Sequence, residues 1–223
     1  MDLNSELDDL RKRSSGDSSA EYASAMGITE EIIHSSRLVE TALREGDVFP
    51  EFSLPDSTGS IVQSADLLAR GPLIVSFYRG GWCPFCNLEL NALQLVLPEI
   101  KELGGALVAV SPETPEQTSK TLTRFSLSFY LLSDNGNALA RKVGLVYRLP
   151  AAMQAEFRKA NIYLPAINGD DSWELPLPAT YLIGQDRIIR EAFVDDDYYH
   201  RKDPRELVSE LKSLQSNVYE EVI

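Results

Sequence analysis

The sequence predicts an α/β fold in which helices flank a central mixed β-sheet, with a helical N-terminal extension before it. From Gly46 onward, short apolar segments of strand length alternate with segments of helical character, as expected of strands and helices layered around one sheet. The runs Leu73–Tyr78 and Ala106–Val110 are almost entirely apolar, which is typical of buried, parallel strands. A hairpin signal at residues 184–186 adds an antiparallel pair, so we expect the sheet to be mixed.

Residues 1–45 are expected to form the helical extension and residues 46–223 the α/β domain. The chain has 223 residues, which suits one domain with an extension. Helical spacing places two apolar sets on helix faces, Leu3, Leu7 and Leu10 in the first stretch and Ile28, Ile32, Val39 and Leu43 in the second. The serine-rich segment 14–19 separates them as a turn. We expect this extension to pack on the domain or on a second subunit.

Within the domain, strands and helices are predicted to alternate after an opening hairpin that turns at residues 56–59. The predicted strands are 48–54, 60–63, 73–78, 106–110, 129–132, 180–183 and 188–194. The predicted helices are 84–102, 115–125, 137–142 and 204–214. Residues 150–177 are expected to be irregular, with one helical piece at 153–159.

Composition and charge exclude several classes of partner. The formal net charge is −13, with 34 acidic and 21 basic residues, which argues against nucleic acid or an anionic membrane as a partner. The sequence has no apolar run long enough to span a membrane, and its first residues are polar and acidic, unlike a signal peptide. We therefore expect a cytoplasmic protein, where paired cysteines are more often catalytic than structural.

The two cysteines of the chain, Cys83 and Cys86, stand two residues apart between a predicted buried strand and a predicted helix. At a helix N-terminus, free backbone N–H groups and the helix dipole stabilise a thiolate, the reactive form of cysteine. Cys83 is expected at or near the N-cap, and Pro84 at the first helical position, where its missing N–H costs nothing. This arrangement indicates a reversible redox disulfide.

Two other interpretations of the cysteines are weaker. A tetrahedral zinc site needs about four ligands, and the sequence adds only His34 and His200, both distant along the chain. Inert buried thiols would not need the helix-start position or the flanking Trp82. The sequence also contains no nucleotide or flavin motif. We expect no metal and no cofactor, so the reducing electrons should come from another protein or a small thiol.

Three further segments carry a family resemblance. Residues 46–56 (GDVFPEFSLPD) look like the opening hairpin of a peroxiredoxin, residues 129–134 (FYLLSD) resemble that family's Phe-Pro-Leu-Leu-Ser-Asp, and residues 179–183 (ATYLI) resemble the strand after its active-site arginine. Over residues 46–195 the chain is similar to the peroxiredoxin-like proteins of the alkyl hydroperoxide reductase and thiol-specific antioxidant group. The resemblance implies a thioredoxin-like fold and a thiol-dependent redox enzyme.

The peroxiredoxin motif Phe-Tyr-Pro-x-x-x-Thr-x-x-Cys overlays residues 77–86. In this register the family's proline falls on Arg79, its threonine on Cys83 and its peroxidatic cysteine on Cys86. Glu89 matches an acid often found three residues after that cysteine, and the family's distant arginine falls on Pro178. Of the four residues that normally position and polarise the peroxide, this chain retains the cysteine.

Residues 82–86 also resemble the Trp-Cys-x-x-Cys of thioredoxins and glutaredoxins. Pro178 and Thr180 lie near the Pro-Thr whose cis-proline faces the thioredoxin disulfide, although the spacing here is one residue longer. Trp82 is expected beside the disulfide. The Arg79 charge should stabilise a thiolate or orient a substrate, and Glu89 is a candidate proton carrier.

The two templates assign different roles to the two cysteines. In the peroxiredoxin register, Cys86 attacks the peroxide and becomes a sulfenic acid, and Cys83 condenses with it. In the thioredoxin register, Cys83 is the exposed nucleophile of low pKa, and Cys86 resolves the mixed disulfide. Both assignments stay open at the level of sequence.

The function that the resemblance implies is reduction of hydroperoxides by an antioxidant enzyme, with the Cys83/Cys86 disulfide regenerated by thioredoxin or another thiol. One alternative is a dithiol–disulfide oxidoreductase without real peroxidase activity. A second is a redox-switched binding or sensor protein, which would oxidise once per reduction without catalytic turnover. A homodimer is expected at the level of the family.

Overall fold

The apolar segments around residues 75 and 108 pair in parallel at the centre of a five-stranded sheet in the computed structural model, which describes residues 2–16 and 18–220. The strands are β1 (Ser53–Pro55), β2 (Ile61–Gln63), β3 (Leu73–Phe77), β4 (Ala106–Ser111), β5 (Tyr130–Ser133), β6 (Val146–Arg148), β7 (Glu174–Pro176), β8 (Ala179–Ile183) and β9 (Ile189–Val194). The helices are α1 (Leu3–Gly16), α2 (Ala20–Ser35), α3 (Leu38–Thr41), α4 (Ser64–Leu68), α5 (Pro84–Glu102), α6 (Pro115–Phe125), α7 (Ala138–Val143), α8 (Ala151–Lys159), α9 (Leu164–Asn168) and α10 (Pro204–Glu220).

The sheet has the order β5-β4-β3-β8-β9 and mixes both pairing directions. β3 pairs in parallel with β4 and β4 with β5, whereas β8 pairs antiparallel with β3 and with β9. Helices cover both faces of the sheet. The predicted α/β fold with a central mixed sheet is therefore confirmed.

Alternation along the central strand divides the interior into two cores. Leu73, Val75 and Phe77 face one apolar cluster, and Ile74 and Tyr78 face the other. The second cluster contains the inner face of α5, with Leu90, Leu93 and Leu97 among its buried residues. α5 therefore lies against the same face as Tyr78, which places its N-terminus beside the end of β3.

The extension packs on this domain. Leu3 and Leu7 of α1 are buried in the core on the α5 side, and Leu10 packs against it. In α2 the buried face consists of Ala25, Thr29 and Ile33, while Ile28 is exposed, as is Val39 in α3, so the predicted apolar face of the second stretch is wrong by about one residue. The small Ala25 and the polar Thr29, which bonds back to the Ala25 carbonyl at 2.8 Å, conceal the true face in the sequence.

Short elements account for most other differences. The predicted strand 48–54 is β1, Ser53–Pro55, preceded by a single bridge from Val48 to Ile188. In the region 150–177, the predicted helical piece is present as α8, and α9 and β7 are regular elements that were not predicted; β7 pairs with β6, which precedes the region. α10 continues past the predicted end to Glu220, and the predicted turn at 14–19 includes Asp17, which lies outside the described residues. Among the described residues, no helix combines the length and apolar character that a membrane crossing needs.

Candidate functional site

The dithiol lies at the junction between the end of β3 and the start of α5. Cys83 is the N-cap of α5 with extended backbone (φ −88°, ψ 115°), and Pro84 is the first helical residue. The Cys83 amide donates to the Gly80 carbonyl at 3.1 Å, and the Asn87 side chain donates to the Gly81 carbonyl at 2.9 Å. The predicted N-cap position is therefore present, and both cysteines are free and fully buried.

Two glycines let the loop pass close to its neighbours. Gly80 has φ +144°, and a Cβ there would lie 2.3 Å from the Trp82 indole nitrogen. A Cβ on Gly81 would lie 1.9 Å from Thr121 Oγ1 on α6. Any larger residue would push the loop away from α6 or displace Trp82. The two glycines therefore allow the loop to keep both cysteines in their buried positions.

Cys83 is in contact with a buried cation. The Arg79 Nη2 atom donates to Cys83 Sγ at 2.9 Å, and only 7% of Arg79 is exposed. Burial by itself would raise the pKa of the Cys83 thiol. The hydrogen bond from Cys86 and the charge of Arg79 outweigh it, so this pKa lies well below its usual range. The contact with Arg79 therefore makes Cys83 the more acidic thiol of the pair.

Cys86 has the opposite character. Burial raises the pKa of the Cys86 thiol, and the hydrogen bond and negative charge of Cys83 raise it further. The Arg79 backbone amide lies 3.5 Å from Cys86 Sγ, and Arg201 Nη2 lies 4.0 Å from it. Cys86 is therefore the less acidic thiol of the pair.

A buried ion pair lies beneath Cys86. Arg201 Nε donates to Glu89 Oε2 at 2.8 Å, with 1% and 2% of the two side chains exposed, and Ser76 Oγ lies 3.4 Å from Glu89 Oε1. The Arg201 guanidinium also donates to the carbonyls of Tyr198 and His200. Burial raises the pKa of Glu89 to about 7, against the lowering effect of the Arg201 charge. This carboxyl can therefore exchange a proton near neutral pH.

A second buried carboxyl approaches the loop from the end of β4. Tyr78 and Glu113 share a 3.4 Å hydrogen bond from the tyrosine hydroxyl to Oε2, and a Cβ on Gly80 would lie 3.1 Å from the Glu113 carboxyl carbon. Burial raises the pKa of Glu113 to about 7, while the Gly81 amide lowers it. Glu113 was not predicted from the sequence, because it follows its strand as an ordinary loop acid.

Aromatic rings hold the Arg79 guanidinium in place. Its carbon lies 4.4 Å from the Tyr198 ring centroid and 5.6 Å from that of Trp82. Trp82 in turn meets Phe157 edge to face, with ring centroids 5.1 Å apart. Within the described residues, the buried Arg79 Nε has no hydrogen-bond partner.

The remaining predicted residues lie on β8 and before it. Thr180 is paired with Ser76 across β3 and β8, so it faces α5. Pro178 is buried and immediately precedes β8. The described residues contain no cis peptide bond, so Pro178 does not take the cis form found in thioredoxins. Neither residue forms a described hydrogen bond with a cysteine, whereas Arg79, Trp82 and Glu89 all lie around the dithiol.

A chamber of about 440 Å³ leads to Cys83. Its walls come from α2, α8, the cysteine loop and the segment before α10. Its lining includes Tyr22, Ala23, Met26, Met153, Phe157 and Tyr199. In the part of the chain that the structure describes, no group of three or more His, Cys, Asp or Glu residues is arranged to hold a metal ion.

These features occur in a chain whose residues 46–192 match a family model described as AhpC/TSA family. The chain belongs to the AhpC/TSA family. The resemblance inferred from the sequence is thus confirmed.

Peroxiredoxin Bcp of Escherichia coli is 31% identical over 103 residues, which cover 46% of this chain and 65% of that protein. The chloroplastic peroxiredoxin Q of Gentiana triflora is 27% identical over 113 residues, covering 50% and 52%. The chain thus matches less than two thirds of the length of these relatives.

Solved structures share the fold at low identity. Peroxidoxin BcpB of Mycobacterium tuberculosis has a TM-score of 0.61 at 20% identity, covering 77% of this chain and 97% of that one. A cysteine-to-serine mutant of PrxQ from Xylella fastidiosa has a TM-score of 0.62 at 17% identity, covering 78% and 99%. The AhpC/TSA domain is therefore a thioredoxin-like fold.

Proposed function

We propose that this AhpC/TSA protein is a thiol-dependent peroxidase that reduces hydroperoxides by cycling Cys83 and Cys86 between dithiol and disulfide. The observation that carries the proposal is the Cys83 sulfur at a helix N-cap, 2.9 Å from the buried Arg79 guanidinium and bordering a chamber. A thiolate stabilised in this way is the nucleophile that peroxide reduction needs. Membership of the family supports the same conclusion.

In the first step, the Cys83 thiolate attacks one oxygen of the hydroperoxide. The O–O bond breaks, Cys83 becomes a sulfenic acid, and the other oxygen leaves as an alkoxide or hydroxide that takes up a proton. Arg79 is suited to assist, because its guanidinium lies 2.9 Å from Cys83 Sγ and its charge stabilises the developing negative oxygen. In this mechanism it replaces the proline and arginine of the family motif.

In the second step, Cys86 condenses with the sulfenic acid. The Cys86 sulfur attacks Cys83 Sγ, the S–O bond breaks, the disulfide forms, and the leaving hydroxide takes up the proton that the Cys86 thiol releases, to become water. The proton of the Cys86 thiol must leave as the sulfur attacks. Glu89 is well suited to receive it, because Arg201 contacts both Glu89 and Cys86 and the pKa of Glu89 is about 7. Two equivalents of a thiol then restore the dithiol.

Replacing each cysteine separately tests the roles. After exposure to hydrogen peroxide and a sulfenic-acid trap, we expect Cys86→Ser to carry the trap on Cys83, and Cys83→Ser to react no faster than a free thiol. Tryptophan fluorescence in a stopped-flow mixer gives the rates in a Trp173→Phe background. The opposite pattern would assign the peroxidatic role to Cys86, as the family register implies. Rates no better than a free thiol in the unmodified protein would exclude a peroxidase.

A second candidate function is dithiol–disulfide exchange. The sequence Trp-Cys-Pro-Phe-Cys at residues 82–86 and the N-cap position of Cys83 favour it, since thiolate attack on a disulfide uses the same nucleophile. It would be supported by rapid exchange with small disulfides alongside a slow peroxide reaction. A cytoplasmic location and a homodimer stay predictions, to be checked by fractionation and by sedimentation.

A further inference from the structure

The oxygen that leaves during peroxide reduction needs a proton. When the Cys83 thiolate attacks, the second peroxide oxygen departs as hydroxide or an alkoxide, and the pKa of the conjugate acid is about 16 for water. A positioned O–H group of lower pKa accelerates such a step by protonating the oxygen as it leaves. The family's threonine position is occupied here by Cys83 itself, so a donor must come from another part of the chamber wall or from solvent.

Three tyrosines line the chamber together with Cys83, namely Tyr22 of α2 and the adjacent pair Tyr198 and Tyr199 before α10. The Tyr198 hydroxyl donates to the Tyr199 oxygen at 3.1 Å and lies 3.3 Å from Met26 Sδ, so its proton is engaged. The Tyr22 hydroxyl, by contrast, makes no hydrogen bond to any residue that the structure describes. It is therefore free to donate to a molecule in the chamber.

The phenol end of Tyr22 faces the reaction centre. Burial raises the pKa of Tyr22, the neighbouring Tyr199 raises it further, the charge of Arg79 lowers it, and Cys83 raises it. These charges act on the phenol oxygen, so the hydroxyl lies within electrostatic reach of both Arg79 and Cys83. Because the pKa lies above its ordinary value, Tyr22 holds its proton at neutral pH, as a donor must.

α2 holds this hydroxyl in a defined place. Tyr22 is in the first turn of the helix, where its amide donates to the N-cap Ser19 Oγ at 3.1 Å. Ala25 and Ile33 of the same helix are each 1% exposed in the main core, and α2 packs along α8. A group fixed in this way protonates the leaving oxygen without the entropy cost of ordering a water molecule.

We propose that Tyr22 is a catalytic residue supplied by the N-terminal extension, whose hydroxyl protonates the oxygen that leaves when Cys83 attacks a hydroperoxide. The inference rests on the proposed function. The Cys83 sulfur bonds to the terminal oxygen, the O–O bond breaks, and the proton moves from Tyr22 Oη to the leaving oxygen. The products are the Cys83 sulfenic acid, water or an alcohol, and the Tyr22 phenolate. The phenolate, stabilised by the Arg79 charge, then regains a proton from solvent.

The test compares two oxidants that differ in whether their leaving group needs a proton. Hydrogen peroxide releases hydroxide, whereas peracetic acid releases acetate, which is stable without a proton at neutral pH. Tryptophan fluorescence in a stopped-flow mixer gives both rates for the reduced full-length protein in a Trp173→Phe background. We expect Tyr22→Phe to slow the hydrogen peroxide reaction at least about tenfold and the peracetic acid reaction less than about twofold. Equal slowing with both oxidants would indicate a structural effect and overturn the proposal.

Two controls isolate the Tyr22 hydroxyl. Alkylation of Cys83 by iodoacetamide releases iodide and needs no proton donor, so in a Cys86→Ser background Tyr22→Phe should leave its rate unchanged. Tyr130→Phe is the matched variant, because Tyr130 is 46% exposed on β5 and outside the chamber lining, and it should alter neither oxidant rate. A loss of the hydrogen peroxide rate in Tyr199→Phe but not in Tyr22→Phe would overturn the assignment to Tyr22.

The unmodified protein separates this inference from the proposed function. A rapid hydrogen peroxide reaction that Tyr22→Phe leaves unchanged would keep the peroxidase and refute the proton donor. A wild-type rate no better than that of a free thiol would refute the peroxidase and, with it, the donor.

Discussion

Arg79 is the residue on which the chemistry of the dithiol depends most directly. It contacts Cys83 Sγ through Nη2 and Cys86 Sγ through its backbone amide, and two aromatic rings hold its guanidinium. The family motif has a proline at this position, so the guanidinium is a departure of this chain from the motif. Its charge lies close enough to Cys83 to decide which of the two sulfurs is ionised.

Arg79→Gln should therefore make Cys83 less acidic. Removing an adjacent opposite charge raises a thiol pKa by about one to three pH units. We expect the midpoint of the pH profile for alkylation of Cys83 to rise by that amount, measured in a Cys86→Ser background with iodoacetamide. Arg124→Gln, on the exposed side of α6, is the control and should leave the profile unchanged. An unshifted midpoint in Arg79→Gln would show that the helix N-terminus alone activates Cys83.

Glu113 should make the stability of the fold depend on pH. Its pKa is raised from 4.5 to about 7 by burial, so between these values the folded protein holds a proton that the unfolded chain has released. Its contribution is therefore full below pH 4.5 and lost as the pH rises to 7, by roughly 3 kcal/mol. Glu113→Gln removes this titration. Urea unfolding of both proteins under reducing conditions should show wild type losing that much relative to the variant. A constant difference across the window would contradict the assignment.

The residues of the site were predictable only where they share a local motif. Arg79, Trp82, Cys83, Cys86 and Glu89 are close in sequence, and the strand-to-helix junction brings them together. Arg201 and Glu113 were missed, because only the folded chain brings Arg201 to Cys86 across 115 positions. A buried Glu89 that needs a cation was the one available signal, and it does not say which arginine supplies it.

At the scale of elements, the junction between β3 and α5 depends on how closely its loop approaches α6. Gly81→Ala should destabilise the fold by about 1 to 3 kcal/mol, because the added Cβ meets Thr121 Oγ1 in a buried site. Thr121→Ala in the same protein should recover part of the loss. Chemical unfolding of the two single variants and the double variant gives the coupling. Strictly additive effects would mean that the loop relaxes elsewhere.

Elements with a clear apolar or helical pattern were predicted within a few residues, and the elements without one were missed. β3, β4 and α5 belong to the first kind, and so does the short helix α7. β6 and β7, with three residues each, belong to the second. Such short strands form because the surrounding fold brings them side by side. A pattern of three residues is too short to predict that pairing from the sequence.

At the scale of the whole molecule, the extension belongs to the same folded unit as the domain, through contacts of α1 with α5. Leu7 is 1% exposed in the core on the α5 side, so Leu7→Ala should lower the free energy of unfolding by about 2 to 5 kcal/mol. Leu95→Ala is the matched control, because Leu95 is 75% exposed on α5, and it should change stability by less than about 0.5 kcal/mol. Equal effects of the two would mean that α1 does not contribute to the core.

The position of the extension could be predicted only as a choice between this domain and a second subunit. Its apolar spacing predicts that one face is buried, but does not indicate whether this domain or a second subunit covers that face. The structure places that face on the chain's own core. The family match begins at residue 46, so α1 and α2 lie outside the matched region, although α2 lines the chamber beside Cys83.

Two hydrogen bonds link Asn4, at the start of α1, to Arg201, which lies beside the two cysteines. The Asn4 side chain donates to the Arg201 carbonyl at 3.1 Å and accepts from the Arg201 amide at 3.2 Å, and Arg201 holds Glu89 beneath Cys86. A protease that trimmed the chain just after Asn4 would cut far from both cysteines in sequence. It would nevertheless remove both hydrogen bonds between Asn4 and Arg201, whose charge lies beside Glu89 and Cys86. Proteolytic processing at this end would therefore change the environment of the dithiol from a distant point in the sequence.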